Sequence, residues 1–137
     1  MQGYFNQPQA SADCLKQSWF LTGDLGYLDE SGYLFISGRI KELILRGGQN
    51  IYPREIEDVL SRLSGVLDVA VVGVPDKLMG ERVKAVLVRS PESELTEESV
   101  KQFCQEHLAP FKVPRIVEFR DELPRNATGK VLKRLLI

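Results

Sequence analysis

The sequence has 137 residues, enough for one compact domain or for one domain and a piece of another. Lys and Arg number 18 against 19 Asp and Glu, a formal net charge of −1 that argues against the basic excess of a nucleic-acid-binding protein. A hydrophobic fraction of 43% with 27% charged residues is that of an ordinary soluble protein. No apolar run approaches the roughly 20 residues of a membrane span.

Cys14 and Cys104 stand far apart, and the single His107 has no partner motif. A structural zinc site and a disulfide framework are therefore not expected, and the composition points to a reducing, cytoplasmic setting. The N-terminus carries no signal-peptide pattern, so Asn126-Ala127-Thr128, which matches a glycosylation sequon, is read as coincidence.

Residues 1–24 are polar and irregular, without a periodic apolar face. Tyr4, Phe5, Trp19 and Phe20 are costly to leave in water and are expected to pack on something outside this chain. A hairpin follows at about 25–37, where two apolar runs flank Asp29-Glu30-Ser31-Gly32. A short strand is expected over 43–45, running into a glycine turn. Pro53 then suits the first turn of a helix through residue 63, with Ile56, Val59, Leu60 and Leu63 on one face.

Residues 67–76 are β-branched and apolar, the pattern of a buried strand. Val83, Ala85 and Leu87 alternate as in a half-covered partner strand. The segment 96–108 opens on Thr96 with Ser99 in place of the usual Glu of a capping box, and has acids in its first turn. Val100, Phe103, Cys104 and Leu108 make its buried face. A short strand is expected over 114–119 and a last amphipathic helix over 130–137. From residue 41 onward the order β-α-β-β-α-β-α describes a small α+β domain.

Four stretches could carry chemistry. Thr22-Gly23-Asp24 is commonly just a turn, but a fixed carboxylate also suits a sugar diol, because it accepts hydrogen bonds from both hydroxyls. Arg39 and Lys41 can be surface charges, yet they sit beside Gly38 between the hairpin and the domain, where a hinge would sit. Gly47 and Gly48 make a tight turn or let a ligand approach the backbone closely, and Asn50 adds an amide that stays in the turn or reaches a phosphate. "PRNATGK", residues 124–130, is not a Walker loop: Pro124 stands where Gly would be, and Val131 follows the lysine instead of Ser or Thr. Lys130 remains suited to a point contact with a phosphoryl oxygen.

Together and in this order, "WFLTGDLGYLDESGYLFISGRIKELILRGGQNIYPREIE" and "PRNATGK" resemble the AMP-forming acyl-CoA synthetases of the adenylate-forming superfamily. The resemblance spans nearly the whole chain and comes closest to the fatty-acid and related carboxylic-acid ligases. It implies the last part of a larger enzyme: residues 1–40 would end the large N-terminal adenylation domain, and residues 41–137 would form the small, mobile C-terminal domain. Such enzymes join a carboxylate to the α-phosphate of ATP, rotate the C-terminal domain, and let a thiol displace AMP. By that resemblance Asp24 binds the ribose and Arg39 assists at ribose or phosphate. Lys41 is the hinge, and Lys130 contacts the acyl carboxylate and α-phosphate. Gly47 and Gly48 line the coenzyme A tunnel, with Asn50 at a variable polar position. Glu55 and Glu57 fit the pattern too, although the helix dipole explains acids there.

The implied cofactors are ATP or AMP and coenzyme A, with Mg2+ expected in the full-length enzyme and not bound by these residues. The implied partners are the N-terminal domain of the same protein, ATP, a carboxylic acid and coenzyme A. Alternatives are an adenylation domain of the peptide-synthetase kind, which would lead into a carrier domain, and a stand-alone binding module, which would have no need of Asp24, Arg39, Lys41 and Lys130 together.

Overall fold

The computed structural model describes residues 1–137. It divides into two units, Met1–Lys41 and Glu42–Ile137.

The first unit holds a short helix, α1 (Pro8–Cys14), and two hairpins, β1 (Leu15–Lys16) with β2 (Trp19–Phe20) and β3 (Asp24–Leu28) with β4 (Leu34–Arg39). The opening residues are thus not irregular throughout. Pro8 starts α1, and Gln17 and Ser18 both take positive φ (48° and 72°), as a tight hairpin turn requires. The β3–β4 loop forms where expected. The Asp29 carboxylate accepts the N–H groups of Ser31 and Tyr33 at 2.9 and 2.8 Å, and Gly32 takes φ 83°. Phe5 is 90% and Trp19 76% exposed, and Tyr27 stacks on Phe35 at 5.3 Å in the open.

The second unit is an α+β domain. Its sheet is built from β5 (Ile44–Arg46), β6 (Gln49–Ile51), β7 (Val66–Asp76), β8 (Gly80–Arg89) and β9 (Ile116–Arg120). The order is β6-β5-β8-β7, and β9 also pairs with β8. All pairings are antiparallel except β8 with β9, which runs parallel from Lys84↔Ile116 to Val88↔Arg120. A parallel neighbour needs a crossover, supplied by α3 (Glu97–His107). α2 (Pro53–Leu60) begins on its proline, as expected, and ends three residues sooner than the apolar periodicity suggests. In α3 the capping box is complete: Thr96 Oγ1 accepts from the Ser99 N–H and Ser99 Oγ accepts from the Thr96 N–H.

Three expectations need correction. β6 follows the glycine turn directly, a strand too short to show an alternating pattern. β8 is covered on both faces, not one. Val83, Ala85 and Leu87 pack with Val71, Ile56 and Leu60 of α2 and Val100 and Cys104 of α3, while Val86 and Val88 face a second cluster with Ala70, Val72, Leu123 and Leu136. Finally, residues 130–137 form no helix, only a single 3-10 turn at Lys133–Leu135. Laying Leu136 on the sheet buries it completely, against Ala70, Val72, Val86 and Val88. The Lys84 ammonium donates to the Leu136 carbonyl at 2.7 Å and fixes the strap there.

Leu136→Ala should therefore destabilise the second unit by about 3 kcal/mol, read as a lower urea midpoint at unchanged slope. Cys104 lies in the first cluster, where burial pushes its thiol up to about 11, and Cys14 is only partly buried. Alkylation of the native protein near pH 8 should mark Cys14 and spare Cys104, with both modified after denaturation, as peptide mass spectrometry would report.

Candidate functional site

Asp24 and Arg39 are brought together by strand pairing. They are opposite one another in the β3–β4 register, and Arg39 Nε donates to Asp24 Oδ1 at 2.7 Å. Gly23 at φ 76° turns the chain so that Asp24 opens β3, and the Asp24 N–H is capped by Thr22 Oγ1 at 3.0 Å. Arg39 Nη2 also reaches the Thr22 carbonyl at 3.4 Å, so "TGD" and Arg39 form one braced element. A carboxylate held this way has its orientation set before any ligand arrives, which limits the ordering cost of binding.

Lys41 is exposed in the single 3-10 turn Ile40–Glu42, next to the division between the two units. Gly47 and Gly48 form the turn from β5 to β6 with φ 57° and 79°, a left-handed pair that residues with side chains reach only with strain. Asn50 lies on β6 opposite Leu45 and is exposed. Arg46, which enters the turn, donates from Nη1 to the Phe111 carbonyl at 2.9 Å.

Lys130 ends a separate and closely built loop. Asn126 organises it: its Oδ1 accepts the Thr128 N–H at 3.1 Å, the Thr128 hydroxyl at 2.8 Å and the Lys130 N–H at 2.8 Å. Backbone bonds from Gly129 to Asn126 and from Asn126 to Lys130, each 2.9 Å, close the turn, with Gly129 at φ 81°. Arg125 donates to the Gly129 carbonyl at 2.6 Å and pairs with Asp68 on β7, which ties the loop to the sheet. The backbone under Lys130 is thus fixed on both sides. Lys130 itself is exposed.

The strap after Lys130 is anchored too. Lys133 Nζ bridges Glu42 at 3.0 Å and Glu57 at 2.7 Å, and Glu57 Oε1 accepts the Val71 N–H at 2.8 Å. Glu55 pairs with Lys112 at 2.5 and 2.7 Å. The acids at the start of α2 therefore hold particular partners, beyond any service to the helix dipole.

Sequence reasoning missed Asp68, Arg125 and Asn126. Asn126-Ala127-Thr128-Gly129 is an Asx turn, and an Asn three residues before a Gly was the available signal. The Asp68–Arg125 pair spans 57 residues and left no local trace.

Residues 55–130, more than half of the chain, match the family described as AMP-binding enzyme C-terminal domain. The chain belongs to that family. It is 44% identical, over all of its length, to a long-chain-fatty-acid–CoA ligase of Bacillus subtilis, of which it covers 24%. It is 48% identical, over 99% of its length, to the long-chain-fatty-acid–CoA ligase of Escherichia coli O6:H1, again covering 24% of it. Among solved structures it resembles ATP-bound MatB from Rhodopseudomonas palustris, with a TM-score of 0.91 and 43% identity over 98% of this chain and 27% of that one. The chain spans about a quarter of the length of these relatives.

Proposed function

We propose that this chain is the C-terminal part of an ATP-dependent, AMP-forming ligase that joins a carboxylic acid, of fatty-acid class, to coenzyme A. The observation that carries the reading is Lys130: an exposed lysine on a loop whose backbone is held by Asn126, Arg125 and the Arg125–Asp68 pair. An exposed surface lysine does not call for such a foundation. A lysine that must meet two anions at a set distance does, because its electrostatic benefit depends on being in place beforehand.

In this reading Asp24, braced by Arg39, accepts the ribose hydroxyls of the nucleotide. Lys130 lies between the acyl carboxylate and the α-phosphate and opposes the charge that accumulates as the two approach. Lys41 absorbs the backbone rotation that withdraws the Lys130 loop. Gly47 and Gly48 then line the path of the thiol arm, where the lack of side chains admits a narrow chain along the backbone. The exposed aromatic residues of the first unit are covered by the N-terminal domain of the full-length protein. The identity of the relatives as long-chain-fatty-acid–CoA ligases supports the choice of acid.

The test supplies ATP, coenzyme A and carboxylic acids of increasing chain length to the full-length protein. Acid-dependent release of AMP and pyrophosphate, with one thioester formed per AMP, is the expected result. The chain of residues 1–137 alone should release none, because its candidate residues form only one side of such a site. AMP release without thioester, or from residues 1–137 alone, contradicts the reading.

A further inference from the structure

The glycine turn rests on a second loop, between β7 and β8, which none of the roles above uses. β7 and β8 pair to their ends at Asp76↔Gly80, and Lys77, Leu78 and Met79 bridge them. Asp76 Oδ1 accepts the N–H groups of Leu78 and Met79, each at 2.9 Å, and Arg82 holds Oδ2 through Nε at 2.6 Å and through Nη2. These backbone donors, with Arg82 after them, keep the Asp76 carboxyl below the usual carboxylate range.

The loop shaped by Asp76 grips the turn at its apex. The Met79 carbonyl accepts the Gly47 N–H at 2.8 Å, and the Met79 methyl lies where a Cβ on Gly47 would come within 2.5 Å of it. Gly80 pairs with Arg46 beside it. The next residue grips the strand that enters the turn: Glu81 Oε2 accepts the Leu45 N–H at 2.6 Å. To reach it the Glu81 side chain crosses Gly73, where a Cβ would lie 2.9 Å from Glu81 Oε1.

We propose that Asp76 and Glu81 are positioning residues that hold the Gly47–Gly48 turn in the shape used for the thiol-transfer step. The inference rests on the role given to that turn above. Both carboxylates are engaged by backbone N–H groups or by Arg82, and neither belongs to the buried clusters. Leu78 is 93% and Met79 42% exposed, while the buried clusters lie along the sheet. Their removal should therefore loosen one loop and leave the domain folded. It should also spare acyl-adenylate formation, because the Lys130 loop is built by Asn126, Arg125 and Asp68 without them.

The experiment uses the full-length protein with Asp76→Ala, Glu81→Ala and Glu81→Gln. Acyl-adenylate formation is timed without thiol, and thioester formation from supplied acyl-adenylate across a range of coenzyme A concentrations. Glu81→Gln keeps the shape and an acceptor for the Leu45 N–H, so it both guards against misfolding and serves as the conservative rescue. The alanine variants should lose about tenfold in kcat/KM for coenzyme A, mainly through KM, while adenylation stays within twofold of the parent; Glu81→Gln should lose less than threefold. Equal loss in both half-reactions, or no loss in the thiol step, overturns the proposal. A parent protein that adenylates but never transfers to coenzyme A overturns the functional reading itself, a result distinct from a transferring parent whose variants are unaffected.

Discussion

In the full-length protein, Lys130→Ala should reduce acyl-adenylate formation by about a hundredfold to a thousandfold with the overall fold intact. The size follows from the chemistry. In the proposed reaction a carboxylate and a phosphate are brought together, and a cation positioned beforehand counts for far more there than one in bulk solvent. The loop lets the effect be assigned cleanly. Asn126 Oδ1 bonds to the backbone N–H of Lys130, not to its side chain, so truncation at Cβ leaves the turn bonded as before. Lys130→Arg keeps the charge on a planar, longer head and should recover only part of the rate. Lys130 is exposed, and thermal unfolding should move by no more than a surface substitution moves it. An adenylation rate within threefold of the parent would reduce "PRNATGK" to a turn that ends a domain.

Asp24→Ala should raise the KM for ATP with a loss of about a hundredfold in kcat/KM. Two charge-assisted hydrogen bonds to a diol are together worth about 3 kcal/mol, and each 1.4 kcal/mol is tenfold. Arg39→Ala should have a smaller effect on the same parameter, since it removes the brace on Asp24 through Nε but leaves the carboxylate and the strand register. Because the proposed reading has both residues serve nucleotide binding through one ion pair, the double variant should fall short of the product of the singles. Replacing ATP with its 2′-deoxy analogue should cost the parent several-fold and the Asp24→Ala variant almost nothing. Equal sensitivity of the two proteins to the missing hydroxyl would place the ribose elsewhere.

These predictions were accessible from the sequence to different degrees. The β3–β4 hairpin, the start of α2 at Pro53 and the capping box at Thr96 all rest on local chemistry, and local chemistry shows in a linear string. So do Gly47, Gly48 and Lys130 as candidates, because glycine pairs and a lysine after glycine stand out. The strap at 130–137 misled for a physical reason. Val131 and Leu136 bury themselves on a sheet whose second face is made by residues 70–88, and nothing in the strap itself distinguishes that burial from the face of a helix. The two-sided covering of β8 was hidden likewise, since its second partner is the strap. Asp68 and Glu81 act on groups brought close only by the sheet, Glu81 on Leu45 and Asp68 on Arg125, while Asp76 bonds locally to Leu78 and Met79 and meets the Gly47 turn only through the fold. Legibility ended where positioning depends on pairs that the fold alone makes.

In the proposed reading separate loops of one small domain serve separate half-reactions: the Lys130 loop the first, the Gly47–Gly48 turn the second. The most direct measurement is a single-turnover transfer, in which full-length Lys130→Ala receives preformed acyl-adenylate and coenzyme A and thioester is followed over time. Transfer should stay within about threefold of the parent rate, because in that reading Lys130 has left the site by then. Transfer lost in step with adenylation, in a variant that unfolds at the parent's temperature, would contradict it and place both reactions under one arrangement of the domain.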